Sequence, residues 1–307
     1  MALLFNINFK KSYKLESDTP YSHDNGLFFK GNNGCAVILS HGLTGAPNEM
    51  RFLANFLNKK GFSVSCPQLA NHGQPLEILK ASGWQDFYQS IRKAFEDLKE
   101  SYNNIFVAGL SMGALLALLL AEEFPDRIAG VCCLSPTLFY DGWNVPWYQC
   151  FLPVVCGTFF KHFLYFKEEP PYGIKNEQIR QKVHSYYANA SMHDIEEVEK
   201  FGYPYFPLTL LHQLRLLVKY LSKKLANITV PVQLIQAKND DLTSVKNSQF
   251  IYDRINSEMK EIFLLYNSYH IVTADQERER VAQEMERFFN RILAGRGSLP
   301  AETKRVL

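Results

Sequence analysis

The sequence has few features of a metal-binding or disulfide-bonded protein. Its six cysteines show no CxxC pair, and such pairs mark many zinc and redox sites. It also contains no HExxH segment of the kind that binds zinc in metalloproteases. We therefore expect no metal or other cofactor, and cysteines that are reduced and structural.

Signals for export or membrane insertion are also lacking. The N-terminus, MALLFNINFKKSYKLE, has no basic start, no apolar core of about 7 to 15 residues and no small-residue cleavage site. The most apolar stretch, residues 143–166, is interrupted by prolines, a glycine, a lysine and a histidine, whereas a membrane-spanning helix needs about 20 apolar residues. We therefore expect a cytoplasmic protein without a transmembrane helix.

Neither positive nor negative charge is in large excess. Lys and Arg number 33 against 31 for Asp and Glu, which leaves a net charge of +2. This small excess produces no broad positive field for phosphate backbones, so we do not expect nucleic acid as a partner. With 47% hydrophobic and 21% charged residues, the 307-residue chain has the composition of a globular domain.

What is present is an alternation of apolar runs with amphipathic helical segments. This order predicts an α/β fold with a mostly parallel sheet and helices on both faces. The alternation stops near residue 136 and resumes near residue 229. We assign residues 1–136 and 229–295 to the core, 137–228 to a helical lid and 296–307 to a solvated tail. The predicted strands are 35–40, 62–66, 104–110, 128–134, 230–237 and 261–266, with one or two before residue 31.

A catalytic serine is predicted at the turn between the strand NIFVAGL and the helix that follows it. The segment Gly109-Leu110-Ser111-Met112-Gly113 matches G-x-S-x-G. A serine on so tight a turn leaves no room for large neighbours, which explains a glycine two residues away on each side. The strand before and the helix after make this match far more specific than the bare pattern, and the sequence therefore predicts Ser111 as a nucleophile.

A serine nucleophile needs a histidine base, and that base needs a carboxylate to orient it. Of eight histidines, His270 lies between the last predicted strand and the C-terminal helix, which is where this fold presents its base. The acid is expected after the preceding strand, in Lys238-Asn239-Asp240-Asp241. We favour Asp240, because Asp241 fits a turn or helix-capping carboxylate, and Asp141 is a third candidate.

Acyl transfer also needs backbone N–H donors for a developing oxyanion. One is expected from Met112, next to the serine, and the other from Leu43, in the loop AVILSHGLTGAP. His41, in the same loop, is expected to orient the loop or to pack in the core and to have no catalytic part.

Six segments in one order resemble the bacterial carboxylesterase and monoacylglycerol lipase group of α/β hydrolases. They are HGLTGAPNEMRFLANFL, PQLANHGQPLE, SGWQDFYQSI, GLSMGA, QAKNDDLTS and NSYHIVTADQER. The resemblance implies Ser111 as nucleophile, Asp240 as acid, His270 as base, and Leu43 and Met112 as the backbone donors. It implies a carboxylic ester hydrolase acting on short- or medium-chain acyl esters. Monoacylglycerol lipase or lysophospholipase activity is the alternative.

Two departures from the group limit this comparison: Leu43 stands where relatives often have an aromatic residue, and the insertion is longer than their cap. Asn71 replaces the first glycine of a GHG segment.

Peptidases, thioesterases and acyltransferases share the same triad, and a non-catalytic binding protein could keep the fold. The aromatic lid and the stripe over residues 210–221 are interpreted as core packing in preference to a membrane-contacting surface.

Overall fold

The computed structural model describes residues 2–5, 26–147, 155, 158–189 and 202–297. Its centre is a seven-stranded sheet with the order β10-β9-β6-β5-β3-β4-β2. All neighbouring pairs are parallel except β2 and β4. The strands of this sheet are β2 (Leu27–Phe29), β3 (Cys35–Ser40), β4 (Ser63–Cys66), β5 (Asn104–Leu110), β6 (Ile128–Leu134), β9 (Val232–Ala237) and β10 (Lys260–Leu265). The predicted strands are thus confirmed to within two residues at each end.

Helices cover both faces of this sheet, because its central strands are apolar on both sides. In β3, Ala36 and Ile38 pack into one core with the helices over 84–98 and 112–123, while Val37 and Leu39 pack into the other with the helices over 51–59 and 278–297. The helices are α1 (Arg51–Lys59), α2 (Leu76–Leu79), α3 (Trp84–Leu98), α4 (Met112–Glu123), α5 (Glu177–Asn189), α6 (Leu208–Ser222), α7 (Lys246–Arg254) and α8 (Arg278–Gly297). The near-continuous apolar helix after Ser111 is fully embedded, with every residue of 112–121 buried.

The order of the strands places a crevice above the sheet. The chain runs from β3 outward to β4 and then returns to β5 on the other side of β3. The loops after β3 and β5 therefore diverge, and ligands of open α/β sheets bind outside the carboxyl ends of the strands at such a point. These two loops carry Leu43 and Ser111.

The segment predicted as a helical lid also contains strands. β7 (Leu164–Lys167) pairs with β8 (Tyr205–Pro207) and with β1 (Ala2–Phe5), giving a separate three-stranded antiparallel sheet. Residues 2–5, which the sequence analysis assigned to the core, therefore pair with the insertion. Much of the insertion, at 148–154, 156–157 and 190–201, lies outside the described residues, as does 298–307 of the predicted tail.

Within the insertion, α6 packs as the sequence analysis preferred. Leu210, Leu214, Leu217 and Leu221 are buried, and they belong to the core cluster on the α3 and α4 side of the sheet. Among the described ranges, no helix has both the length and the apolar character needed to cross a membrane.

Candidate active site

Ser111 lies at the sharp turn between β5 and α4. Its backbone has φ 57° and ψ −116°, a left-handed conformation that is costly for a residue with a side chain and that is found mainly at functional sites. The Ser111 N–H donates to the Leu134 carbonyl at 2.9 Å, which ties the turn to the end of β6. The turn therefore places a half-buried serine hydroxyl at the carboxyl edge of the sheet.

The two glycines of the turn are required by close contacts. A Cβ atom at Gly109 would lie 2.2 Å from the backbone of Gly113, and one at Gly113 would lie 2.5 Å from the Ser40 carbonyl oxygen. Carbon atoms do not approach backbone atoms this closely. The G-x-S-x-G pattern therefore reflects how tightly β5, α4 and the end of β3 approach one another.

His270 and Asp240 form a buried pair. The imidazole Nδ1 of His270 lies 2.9 Å from Asp240 Oδ2 and 3.1 Å from Oδ1. The Asp240 carboxylate is fixed by the backbone N–H groups of Leu242 and Thr243, both at 2.9 Å, and by Gln236 Nε2 at 2.8 Å. This arrangement orients the imidazole so that its Nε2 is available to other partners.

The other two candidate carboxylates serve different partners. Asp241 Oδ1 accepts from the backbone N–H of His270 at 3.2 Å, and Oδ2 accepts from the N–H of Gly173 in the insertion at 3.1 Å. Asp141 accepts from the N–H of Ser244 at 2.8 Å and from Asn247 Nδ2 at 3.0 Å. Of the three, only Asp240 hydrogen-bonds to the imidazole of His270.

The hydroxyl of Ser111 has a partner that the sequence analysis missed. Ser111 Oγ lies 2.8 Å from Oγ1 of Thr137, a fully buried residue just after β6. Among the described residues, no hydrogen bond joins Ser111 to His270. Both side chains nevertheless line the same cavity, of about 290 Å³. The structure thus brings Asp240 to His270 and sets Ser111 and His270 around one space.

Of the two predicted backbone donors, Leu43 lines this space and Met112 directly follows Ser111, which also lines it. Met112 is the first residue of α4, so its N–H has no partner within the helix. Leu43 lines the cavity, and its N–H belongs to the peptide whose carbonyl, that of Gly42, lies 2.9 Å from His41 Nδ1. Because the C=O and N–H of a trans peptide point in opposite directions, this bond directs the Leu43 N–H away from His41.

Both ring nitrogens of His41 hydrogen-bond to backbone groups. Its Nε2 accepts from the Leu69 N–H at 3.2 Å, which leaves Nδ1 to donate to Gly42. Burial, and then the neighbouring His72, lower the pKa of His41 well below its ordinary value. A neutral, fully buried His41 that orients the loop is what the sequence analysis preferred.

The insertion supplies the roof of the cavity. Ile174, Ile179 and Val183 provide apolar surface, and Tyr187 provides a hydroxyl. The insertion is attached next to His270, since the Ile271 N–H donates to the Gly173 carbonyl at 2.8 Å. A backbone hydrogen bond therefore joins the insertion to the loop that carries His270.

Two glutamates line this cavity, Glu49 beside Gly42 and Glu168 in the insertion. Burial raises the pKa of each from 4.5 to about 7, although the Gly42 N–H lowers the value for Glu49 and the Tyr187 hydroxyl lowers it for Glu168. The motifs gave no indication of either residue. The lining of the cavity thus combines apolar side chains with titratable carboxyls.

The pKa of His270 results from opposing effects. Burial alone lowers it, but the nearby carboxylates of Asp240, Asp241 and Glu168 outweigh burial, so that the net pKa of His270 is raised above 6.5. Each carboxylate stabilises the protonated imidazole.

Within the ranges described, no three side chains of His, Cys, Asp or Glu come together as ligands for a metal ion.

Comparison with known proteins identifies the family. The profile of the family described as serine aminopeptidase, S33, matches residues 31–277. The chain belongs to this family. The S33 match begins before β3 and ends after His270, so it spans the whole site described above.

Individual relatives of this S33 protein are named for ester chemistry. It is 28% identical over 262 residues to "Thermostable monoacylglycerol lipase" of Bacillus sp. (strain H-257), covering 85% of this chain and 93% of that protein. It is 27% identical to "Carboxylesterase" of Bacillus subtilis (strain 168), covering 86% and 95%. A solved structure reported under "LipS and LipT, two metagenome-derived lipolytic enzymes" superposes with a TM-score of 0.71 at 26% identity, covering 87% and 97%. The predicted α/β-hydrolase fold and family resemblance are confirmed.

Proposed function

We propose that the protein is a serine carboxylic ester hydrolase that works through an acyl-enzyme. The single observation that carries the proposal is the buried Asp240–His270 pair, whose histidine lines one cavity with a serine at a strained turn. The relatives named carboxylesterase and monoacylglycerol lipase support the same reaction class.

The proposed reaction follows from the roles of these groups. Ser111 Oγ attacks the ester carbonyl carbon while His270 Nε2 takes its proton, and Asp240 stabilises the resulting imidazolium. The N–H groups of Leu43 and Met112 hold the carbonyl oxygen as it becomes negative. His270 then gives the proton to the leaving alcohol. Water, deprotonated by His270, attacks the acyl carbon, and His270 passes that proton to Ser111 Oγ as the bond between Oγ and the acyl carbon breaks and the carboxylic acid is released.

The lining of the cavity supports short- or medium-chain acyl esters. Its volume, about 290 Å³, is at the small end of ligand pockets. Apolar contacts for an acyl chain come from Phe52, Ile179 and Val183. Carboxyl and hydroxyl groups of Glu168 and Tyr187 would accept and donate hydrogen bonds to a polar alcohol, so monoacylglycerols and lysophospholipids are the second candidate substrates.

A fluorophosphonate probe tests the catalytic assignment. We expect it to inactivate the wild type and to add its mass to the peptide containing Ser111. Ser111→Ala should neither react nor hydrolyse p-nitrophenyl butyrate. Equal hydrolysis by Ser111→Ala and wild type would reject Ser111 as nucleophile and would favour a non-catalytic role for this site.

A substrate panel tests the acyl and alcohol preference. Because the pocket is small, we expect the highest kcat/KM on p-nitrophenyl esters with acyl chains of roughly 4 to 10 carbons. We expect the same preference among 1-monoacylglycerols. Long-chain triglycerides and the matched amides should be poor substrates. A maximum on amides would indicate a peptidase, and one on long triglycerides would contradict the proposed chain length.

A further inference from the structure

Thr137 is the hydrogen-bond partner of the Ser111 hydroxyl. Thr137 Oγ1 lies 2.8 Å from Ser111 Oγ and 3.3 Å from the carbonyl oxygen of Ser135. Each hydroxyl has one proton. Both contacts are satisfied together only if Thr137 donates to Ser135 and accepts from Ser111. In this arrangement the Ser111 hydroxyl donates its proton to Thr137 and not to His270.

The position of Thr137 is fixed by a strained and anchored loop. Ser135, a buried residue with a side chain, has φ 43°, a conformation that persists only where surrounding contacts enforce it. The Ser135 N–H donates to Ile235 at 2.8 Å. Downstream, the N–H groups of Leu138 and Phe139 both donate to Asn247 Oδ1, at 2.8 and 2.7 Å. Thr137 is thus held on both sides by parts of the chain near the acid.

We propose that Thr137 is a positioning residue that holds the Ser111 hydroxyl in a resting hydrogen bond, which must break before His270 can accept the serine proton. The proposal rests on the function proposed above, in which Ser111 is the nucleophile. Its consequence is that the serine is less reactive at rest than it would be without Thr137. The rate at which a covalent probe modifies Ser111 therefore reports the strength of the hydrogen bond between Thr137 and Ser111.

The test compares hydroxyl-free and hydroxyl-bearing replacements of Thr137. Valine has the shape of threonine without its hydroxyl, alanine is smaller and also lacks it, and serine keeps it. For Thr137→Val and Thr137→Ala we expect the first-order rate of inactivation by a fluorophosphonate to rise several-fold, up to about tenfold, the equivalent of one ordinary hydrogen bond. The apparent binding constant of the probe should not change. Thr137→Ser should react at the wild-type rate.

A purely structural role predicts a different pattern. Loosening of the loop would slow inactivation in both hydroxyl-free variants and lower their melting temperatures together, which would overturn the proposal. Unchanged inactivation rates in folded Thr137→Val or Thr137→Ala would overturn it as well. Failure of the proposed function is distinguishable, because the probe would then label wild type and Ser111→Ala alike.

A crystal structure of the ligand-free wild type gives a test that needs no variant to fold. We expect Ser111 Oγ within hydrogen-bond distance of Thr137 Oγ1 and beyond that distance from His270 Nε2. A structure in which Ser111 Oγ hydrogen-bonds to His270 Nε2, with Thr137 Oγ1 beyond hydrogen-bond distance, would reject the resting hydrogen bond.

Discussion

Asp241 holds the backbone N–H of His270, at 3.2 Å, and not its imidazole. Its chain neighbour Asp240 binds the imidazole of the same histidine at 2.9 Å. Two consecutive carboxylates therefore hold one histidine in different ways. Asp240 sets the tautomer and orientation of the ring, while Asp241 connects the loop of His270 to Gly173 in the insertion.

Asparagine substitutions should separate these two roles. Asp240→Asn removes the charge that orients and stabilises the protonated imidazole, so we expect kcat to fall by about 10³- to 10⁴-fold. Asp241→Asn keeps one acceptor oxygen for the backbone, and we expect a loss of about tenfold or less together with a lower melting temperature. Steady-state kinetics on p-nitrophenyl butyrate and thermal unfolding provide both measurements. A larger kcat loss in Asp241→Asn would reverse the assignment.

The sequence predicted the parts of the site that have a local chemical signature. Gly109, Ser111 and Gly113 form a recognisable turn because their contacts are dictated within five residues. His270 was found from its place after the last strand. Asp240 could be preferred over Asp241 but not separated from it, because adjacent side chains differ in direction only once the loop is folded.

Residues that reach the site only through the tertiary fold were missed. Thr137 and Glu168 lie in none of the six quoted segments, and Glu49 lies in one of them but carries no chemical signature of its own. These residues stand out only through the cavity that they share with Ser111 or through contact with its hydroxyl. The strands at 164–167 and 205–207 are only four and three residues long. In so aromatic a segment these runs are too short for a two-residue period to be recognised.

The charge of Glu168 should affect the pH dependence of catalysis. Its carboxylate helps to raise the pKa of His270, and a base works only when it is neutral. Glu168→Gln should therefore lower the pKa of His270, so that activity persists to lower pH. We expect the acid limb of the kcat/KM profile to move down by a few tenths of a pH unit, which is a modest electrostatic effect.

The adjacent Glu169, which is exposed, gives a matched control for that experiment. Glu169→Gln changes the same charge by the same chemistry on the same segment, and its acid limb should coincide with that of the wild type. An acid limb that moves to higher pH in Glu168→Gln, or that moves equally in both variants, would be inconsistent with the field of Glu168 acting on His270.

Glu49 should make the folded state less stable as pH rises. Its folded pKa of about 7 exceeds the ordinary value of 4.5, so the folded protein binds a proton that the unfolded chain releases between these values. The free energy of unfolding contributed by this group therefore falls as pH rises from about 4.5 through 7. Glu49→Gln removes the cost of ionising a buried carboxyl in the folded state, and it should raise the free energy of unfolding at pH 8 by about 1 kcal/mol or more.

Urea unfolding at pH 4.5 and pH 8 measures the effect of Glu49. At pH 4.5 the carboxyl is protonated in the folded state, and Glu49→Gln should match the wild type within error. The exposed Glu258 provides the control, since Glu258→Gln should leave stability unchanged at both pH values. Equal stabilisation by Glu49→Gln at both pH values would show that relief of charge is not the cause.

Gly113 should be intolerant even of alanine. A Cβ there would lie 2.5 Å from the Ser40 carbonyl oxygen and 2.6 Å from that of His41, and neither backbone group can move without displacing the loop that carries Leu43. We expect Gly113→Ala to lower the free energy of unfolding by about 1–3 kcal/mol and to reduce kcat strongly. Gly295→Ala is the matched control, because no atom lies within 4 Å of a Cβ placed there, and alanine favours the helix by up to about 1 kcal/mol. Urea unfolding and ester hydrolysis measure both variants. Wild-type stability in Gly113→Ala would contradict the close approach of α4 to the end of β3.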